Sequence, residues 1–339
     1  MEQYNSIHYL RGFASLMVVL YHAMITSAVA QHYSKHYGDF GVDVFFVISG
    51  FVMWLTTERS YKGILPFWKN RLIRVVPLYW FFTALLFAAT LIAPHLFYNQ
   101  RDPDFFFIIK SLLFIPSINP DIKDITPFYT IGWTLIYEMY FYFLIGIIAF
   151  IRQRSIRFIS VASLISCLAL YGLIRKPTDP VIFTYTNPIL FEFLFGVSIA
   201  FFREQIMAIS WRAGIAAIAL SLLWLLYTPP ASQDRFYIYG IPSAFLVAGV
   251  LTLEPCLGKF IARAPYTLGT VSYSLYLSHP ISQRIWLVAF TSLFGGVVGF
   301  YSALIYSAGA VMAGLIGGVV CYKFIEAPML QIMRKGRSN

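Results

Sequence analysis

The stretch LRGFASLMVVLYHA, residues 10–23, decides the fold. It reads as the first half of a membrane-spanning helix, yet it holds Arg11 near its start and His22 well inside. Working outward, the same apolar character runs through the chain. Of 339 residues, 59% are hydrophobic and 12% charged, and the mean hydropathy is +0.70. A soluble domain carries about 25% charged residues, and no soluble globule of this length hides so much apolar surface. The expected fold is an all-α integral membrane protein, a single transmembrane domain over residues 1–339 with no separate soluble domain.

A helix crosses a bilayer in about 20 apolar residues. Ten segments qualify, near 9–29, 40–57, 75–94, 132–151, 157–174, 187–203, 211–228, 236–253, 267–292 and 300–324. The run 105–116 is too short, contains Lys110, and reads as an interfacial or re-entrant piece. Cytoplasmic loops are enriched in Lys and Arg. With the N-terminus in the cytoplasm, sixteen of the 25 Lys and Arg fall inside and seven outside, Arg235 among the latter. Both termini are therefore expected to be cytoplasmic, which about ten transmembrane helices satisfy. The same rule accounts for the net charge of +10, so no nucleic acid partner is expected. The longest connection, 95–131, is proline-rich and holds Asp102, Asp104, Asp121 and Asp124. Ala28-Val29-Ala30 resembles a signal-peptidase site. No Lys or Arg precedes Arg11, however, and a histidine sits in the apolar run, so cleavage is not expected. Cys167, Cys256 and Cys321 show no metal or redox spacing and read as small packing residues. No metal is expected.

Charges inside membrane spans are costly and face a cavity or a partner. The deep ones are His22, Glu138 and His279, with Arg11, Asp43, Glu192 and Arg284 nearer span ends. At 1.5 Å per residue, His22 lies about 16 Å along the helix from Arg11. Arg11 would sit at the cytoplasmic surface and His22 near mid-membrane. A buried histidine is often only a hydrogen-bonded structural group, but a neutral imidazole also takes a proton near pH 7. Glu138, among the aromatics of GWTLIYEMYFYF (132–143), needs a partner. A histidine would serve, because a carboxylate orients an imidazole and stabilises its protonated form. A structural hydrogen bond to another helix is the plain alternative. Asp43, in FGVDVFFVISGF (40–51), is either a site residue or an acid favoured by a helix N-terminus. Arg71 and Arg74, in FWKNRLIRVVP (67–77), are three apart and share a helix face. They are either ordinary positive-inside charge or a phosphate clamp, since Arg grips phosphate through paired hydrogen bonds. His279, in SYSLYLSHP (272–280), is equally a core histidine or a site residue. Glu192 reads as a structural partner for a cation.

Five segments recur in order: the R-x10-H pattern from IHYLRG through His22, FGVDVFFVISGFVM, the R-x-x-R of Arg71 and Arg74 followed by VVPLYW, GWTLIYEMYFY, and SYSLYLSHP. On these the chain resembles the acyltransferase-3 family of integral membrane O-acyltransferases, nearest to its bacterial exopolysaccharide acetyltransferase branch. The resemblance implies a ten-helix core in a bacterial cytoplasmic (inner) membrane, with both termini inside. It implies acetyl transfer from cytoplasmic acetyl-CoA, a cosubstrate, to a hydroxyl of a polysaccharide or lipid-linked sugar acceptor, in contact with membrane lipid. By position His22 would be the catalytic base, and Arg11 would position the donor or hold the site. Arg71 and Arg74, with Lys69, would contact the CoA phosphates. Glu138 and Asp43 match acidic motif positions, and Glu138 would stabilise the imidazolium. Two other classes fit the composition. A proton-coupled transporter would use buried His and Glu, but no internal repeat is evident. A non-catalytic polysaccharide-export partner would tolerate loss of His22.

Overall fold

In lipid every backbone N–H and C=O must be satisfied within its own segment, so long apolar runs become helices. The computed structural model describes residues 4–26, 29–33, 38–59, 63–92, 104–228, 235–258 and 262–335. Lys35, Lys62, Arg101, Lys259 and Arg337 of the charge balance lie outside the described residues, as do Ala28, Asp102 and the rest of 95–103. The helices are α1 (Asn5–Ile25), α2 (Gly41–Arg59), α3 (Ile64–Ile92), α4 (Phe105–Leu112), α5 (Trp133–Ile148), α6 (Arg154–Arg175), α7 (Pro180–Tyr185), α8 (Leu190–Phe201), α9 (Arg203–Met207), α10 (Trp211–Tyr227), α11 (Ile241–Thr252), α12 (Glu254–Leu257), α13 (Arg263–Phe294), α14 (Phe300–Cys321) and α15 (Ala327–Lys335). Each of the ten apolar segments overlaps one of them, with residues 27–28 of the first and 93–94 of the third outside the described residues. Two π-helical turns, Phe236–Gly240 before α11 and Tyr322–Glu326 after α14, extend those helices. The second sets buried Glu326 to accept from Ser274 Oγ at 2.5 Å.

Six stretches are long and apolar enough to cross a membrane: Gly41–Glu58, Ile64–Ile92, Thr130–Ile148, Arg154–Arg175, Pro180–Phe201 and Phe300–Arg334. Trp211–Tyr227 and Phe236–Thr252 are shorter apolar helices. Large apolar side chains such as Leu91, Ile92, Tyr301, Ile305 and Phe324 are exposed on these helices, as in a multi-pass protein solvated by lipid. The helices α1 and α13, of 21 and 32 residues, are long enough to cross but more polar. They carry Arg11, His22 and His279. The short piece α4 has eight residues, about 12 Å of helix, and is capped by Asp104, which accepts from Phe106 N at 3.2 Å.

The chain packs as two compact units, residues 1–48 with 203–339, and residues 49–202. In the first, α13 packs along α1 and α14, and α10 along α11. The helices α1 and α13 run parallel: His8 meets Tyr266, Arg11 meets Gly269 and His22 meets His279. The helix α14 is antiparallel to both. Trp286 Nε1 donates to Tyr306 O at 2.9 Å, Ser307 Oγ donates to Ala23 O at 3.2 Å, and Gly314 faces Val19 and His279.

In the second unit α3 packs on α5, and α6 on α8. Trp54 lies edge-on to Phe158 and Phe201, and Phe141 stacks on Phe193 with ring centroids 4.5 Å apart. Segment 104–131 is fastened to α3 by Tyr79 OH on Ser111 O at 3.1 Å and Trp80 Nε1 on Leu112 O at 2.9 Å. Of the three cysteines only Cys321 is buried. Cys167 and Cys256 are exposed, so the packing role expected for them does not hold.

Candidate active site

The helix α1 has no side-chain cap of its own. Glu254 supplies one from α12: Oε1 accepts from Asn5 N at 2.9 Å and Oε2 from Ser6 N at 2.8 Å. A carboxylate there satisfies orphan N–H groups at the positive end of the helix dipole. Two turns on, Gly12 faces Gly269. A Cβ on Gly12 would stand 2.7 Å from Gly269 N, and one on Gly269 would stand 2.4 Å from His8 O. Only glycine lets these backbones meet. Arg11 Nη2 donates to Gly269 O at 2.6 Å, and His8 Nε2 donates to Tyr266 O at 3.0 Å. The Arg11 contact ties α1 to α13.

Eleven residues at 100° each make three turns, so His22 lies on nearly the same face of α1 as Arg11, about 16 Å further on. His22 Nδ1 is 2.9 Å from Val18 O. A carbonyl only accepts, so Nδ1 carries the hydrogen and Nε2 presents its lone pair. His279 repeats the arrangement, with Nδ1 3.2 Å from Leu275 O. The two ring centroids are 4.8 Å apart with the planes at 60°. His22 is half-buried and His279 wholly buried. Among the described residues His279 Nε2 has no hydrogen-bond partner. A Cβ on Gly314 would meet Val19 Cγ1 at 2.9 Å and His279 Cβ at 3.5 Å, so glycine lets α14 close over the pair. Gln283 Nε2 donates to Val19 O at 2.8 Å and ties α13 to α1. His279, a core or a site residue by sequence, stands beside His22.

Asp43 sits in the first turn of α2 and is wholly buried. Arg235 Nη2 donates to its Oδ2 at 2.7 Å and to Asp39 O at 2.9 Å, while Nη1 donates to Asp39 Oδ2 at 2.8 Å. The guanidinium lies 5.2 Å from the centroid of the Tyr239 ring. Asp43 is thus both a helix-start acid and half of a buried ion pair. Asp39 also lies within electrostatic reach of His22. Sequence reasoning missed Arg235 and Asp39. Arg235 looked like a loop charge, and the available signal was that a lone cation opens the apolar run FYIYGIP.

In the second unit Glu138 is half-buried on α5. Its Oε1 accepts from Ser49 Oγ at 3.2 Å and from Tyr142 OH one turn along. Tyr142 O accepts from Trp68 Nε1 at 3.0 Å, which draws α3 onto α5. Arg71 and Arg74, next along α3, lie within electrostatic reach of Tyr142. Lys69 is exposed. It lies about 200° around the helix from Arg71, so the structure does not gather it with the arginine pair. Glu192 is wholly buried on α8. His22 and Glu138, expected as a dyad, belong to different units. Tyr142 was missed because nothing marks it among the aromatics of α5.

The acyltransferase-3 model, an acyltransferase domain, matches residues 4–323. The chain belongs to this family. The match takes in both units. Within the curated proteins, the exopolysaccharide production protein ExoZ of Rhizobium meliloti (strain 1021) is 31% identical over 325 residues, which cover 95% of this chain and 96% of ExoZ. The O-acetyltransferase OatA of Staphylococcus aureus is 30% identical over 363 residues. That match covers 96% of this chain but 57% of OatA, so the chain spans little more than half of that relative. A putative acetyltransferase of Acidianus two-tailed virus is 23% identical, covering 81% of this chain and 82% of its own length. No solved structure matches the chain significantly. As an acyltransferase-3 protein with O-acetyltransferase relatives, the chain is a membrane O-acyltransferase.

Proposed function

We propose that the protein moves an acetyl group from cytoplasmic acetyl-CoA to a hydroxyl of an exopolysaccharide or other cell-surface sugar, or of its lipid-linked precursor, in a bacterial inner membrane. The observation that carries this reading is His22, an imidazole whose Nδ1 hydrogen is spent on Val18 O and whose Nε2 is left as a base, in a chain of the acyltransferase-3 family. ExoZ, an exopolysaccharide production protein, supports a polysaccharide acceptor. Acetyl-CoA is a substrate that enters and leaves. His22 Nε2 takes the proton of the acceptor hydroxyl, whose oxygen bonds to the acyl carbon. The carbon–sulfur bond breaks, and the CoA thiolate leaves with the proton from His22. No serine or cysteine nucleophile is needed.

The other residues take supporting roles in this reading. Arg71 and Arg74 bind CoA phosphates, and Lys69 adds positive charge at the same stretch of α3. Arg11 fixes α1 on α13 and so sets the depth of His22. Asp43 holds Arg235, and Glu138 orders Tyr142 near the arginine pair. We read both units as one acyltransferase domain with ten crossings and cytoplasmic termini. Parity supports this: α1 and α13 carry the first and ninth crossings and are parallel, while α14, the tenth, is antiparallel, as strict alternation requires.

The test uses inside-out membrane vesicles. Wild type should release CoA thiol from added acetyl-CoA in an acceptor-dependent way, and His22→Ala should not. Replacing Arg71 and Arg74 together by alanine should raise KM for acetyl-CoA about tenfold or more, with a smaller change in kcat, because charge-assisted phosphate contacts are lost. Equal thiol release from all three would overturn the reading.

A further inference from the structure

We propose that Asp39 is the carboxylate that steadies the His22 imidazolium during acyl transfer, and that Arg235, anchored on Asp43, holds it in place. The proposal rests on His22 acting as the base. The turn that carries Asp39 is pressed onto α1. A Cβ on Gly38 would strike Met17 O, and one on Gly41 would stand 2.5 Å from Ala14 O and 2.9 Å from Val18 Cγ2. Gly38 also has a φ of 108°, which favours glycine. Ala14, Met17, Val18 and Tyr21 follow one another at helical spacing and share a face of α1. His22 is four residues past Val18, about 6 Å further along. The turn therefore lies against the end of α1, whose last turn bears His22. Among the described residues Asp39 is the one charged side chain within electrostatic reach of His22.

Arg235 fixes this residue at both ends, through Asp39 Oδ2 and Asp39 O, and its third hydrogen bond goes to Asp43 Oδ2. Val42 N also donates to Asp39 O at 3.3 Å. Two carboxylates share one guanidinium, so the cluster keeps a net negative charge. Asp43 is wholly buried, whereas the Asp39 side chain is 22% exposed. A negative charge within reach favours the protonated imidazole. The effect acts through space and needs no bond to the ring, so His22 Nδ1 stays on Val18 O and Nε2 stays open to the acceptor hydroxyl. The other titratable groups around His22 are Tyr21 on α1 and His279 and Tyr276 on α13, while α14 presents Gly314. Tyr21 and Tyr239 each lie within electrostatic reach of both Asp39 and Arg235. Arg284 on α13 lies within reach of Tyr306 on α14. The step balances with no further reactant. The hydroxyl O–H bond breaks and its proton binds His22 Nε2. The C–O bond forms as the C–S bond breaks, and the proton passes from His22 to the thiolate. Asp39 stays ionised throughout, touches no substrate atom and is a positioning residue acting through His22. It takes the part that sequence reasoning assigned to Glu138, which lies in the other unit.

The experiment titrates the His22 ring by NMR of isotope-labelled histidine in the full-length protein in lipid nanodiscs. The His22 signal is the one absent from His22→Ala. Asp39→Asn removes the charge and keeps an oxygen that accepts from Arg235. Its His22 midpoint should fall by about half a pH unit or more, and Asp39→Glu should return it close to wild type. In acetyl transfer, Asp39→Asn should move the acid limb of the pH–rate profile to lower pH. It should lower kcat about threefold or more and leave KM for acetyl-CoA within about twofold. A structural role alone would lower the rate without moving the midpoint, so an unmoved midpoint in Asp39→Asn overturns the proposal. So does a glutamate variant that titrates like asparagine, or a wild-type His22 that stays neutral down to about pH 4. If the asparagine variant fails to insert, Asp39→Ser, also neutral and able to accept, is read in the same way. An active His22→Ala would instead overturn the base assignment, whichever way the midpoint moves.

Discussion

The ion pair of Arg235 and Asp43 stakes much on one contact. Asp43 is wholly buried, so Arg235→Ala strands a carboxylate away from water, a loss of about 3–5 kcal/mol. The variant should melt well below wild type in detergent. Arg235→Met combined with Asp43→Leu should recover much of that loss, because the wholly buried carboxylate is then gone and the one left without Arg235, Asp39, is partly exposed. A single variant that melts with wild type would contradict the structural role given to the pair. At this scale the sequence showed one half of each interaction. His22, Glu138, Asp43 and Arg11 stood out as ionisable groups in apolar runs, which is a local signal. Their partners did not stand out. Arg235 is 192 residues from Asp43, and Glu254, which caps α1, is 249 residues from Asn5. His279 was singled out, but its place beside His22 depends on how α1, α13 and α14 pack.

The helices were legible almost throughout, because helix formation in an apolar segment is a local matter. Their details were not. The segment 187–203 begins before α8 and runs past its end to the first residue of α9, and the π-helical turns at Phe236–Gly240 and Tyr322–Glu326 leave no mark in hydropathy. The helices α1 and α13 fall outside the six apolar spans because polar residues, Asn5, Ser6, Arg11, Ser15 and His22 on the one and Arg263, Ser272, His279 and Arg284 among others on the other, lower their hydropathy. Close helix contact depends on small residues, and Gly314 is the sharpest case. Gly314→Val would push its new Cβ against Val19 Cγ1, 2.9 Å away, beside His279 Cβ. Overpacking of this kind costs about 1–3 kcal/mol. The expected outcome is a lowered melting temperature and reduced acetyl transfer with both histidines intact. Unchanged activity would show that α14 does not position the pair.

Across the whole molecule, composition and charge balance disclosed a multi-pass membrane protein, and five ordered motifs disclosed an acyltransferase. The grouping of the chain into two units was not visible, since it joins residues 1–48 to 203–339 across an intervening segment. Such long-range pairing depends on glycine contacts like Gly12 with Gly269, which hydropathy does not register. The central claim is that His22 drives acyl transfer from acetyl-CoA to a sugar hydroxyl. The most direct measurement follows radiolabelled acetyl from acetyl-CoA in membranes containing wild type or His22→Ala, at equal protein levels. The account predicts label in a hydroxylamine-labile ester on glycan or lipid-linked sugar with wild type, and at least a hundredfold less, on the order of general-base catalysis, with the variant. Equal labelling by both membranes would contradict it.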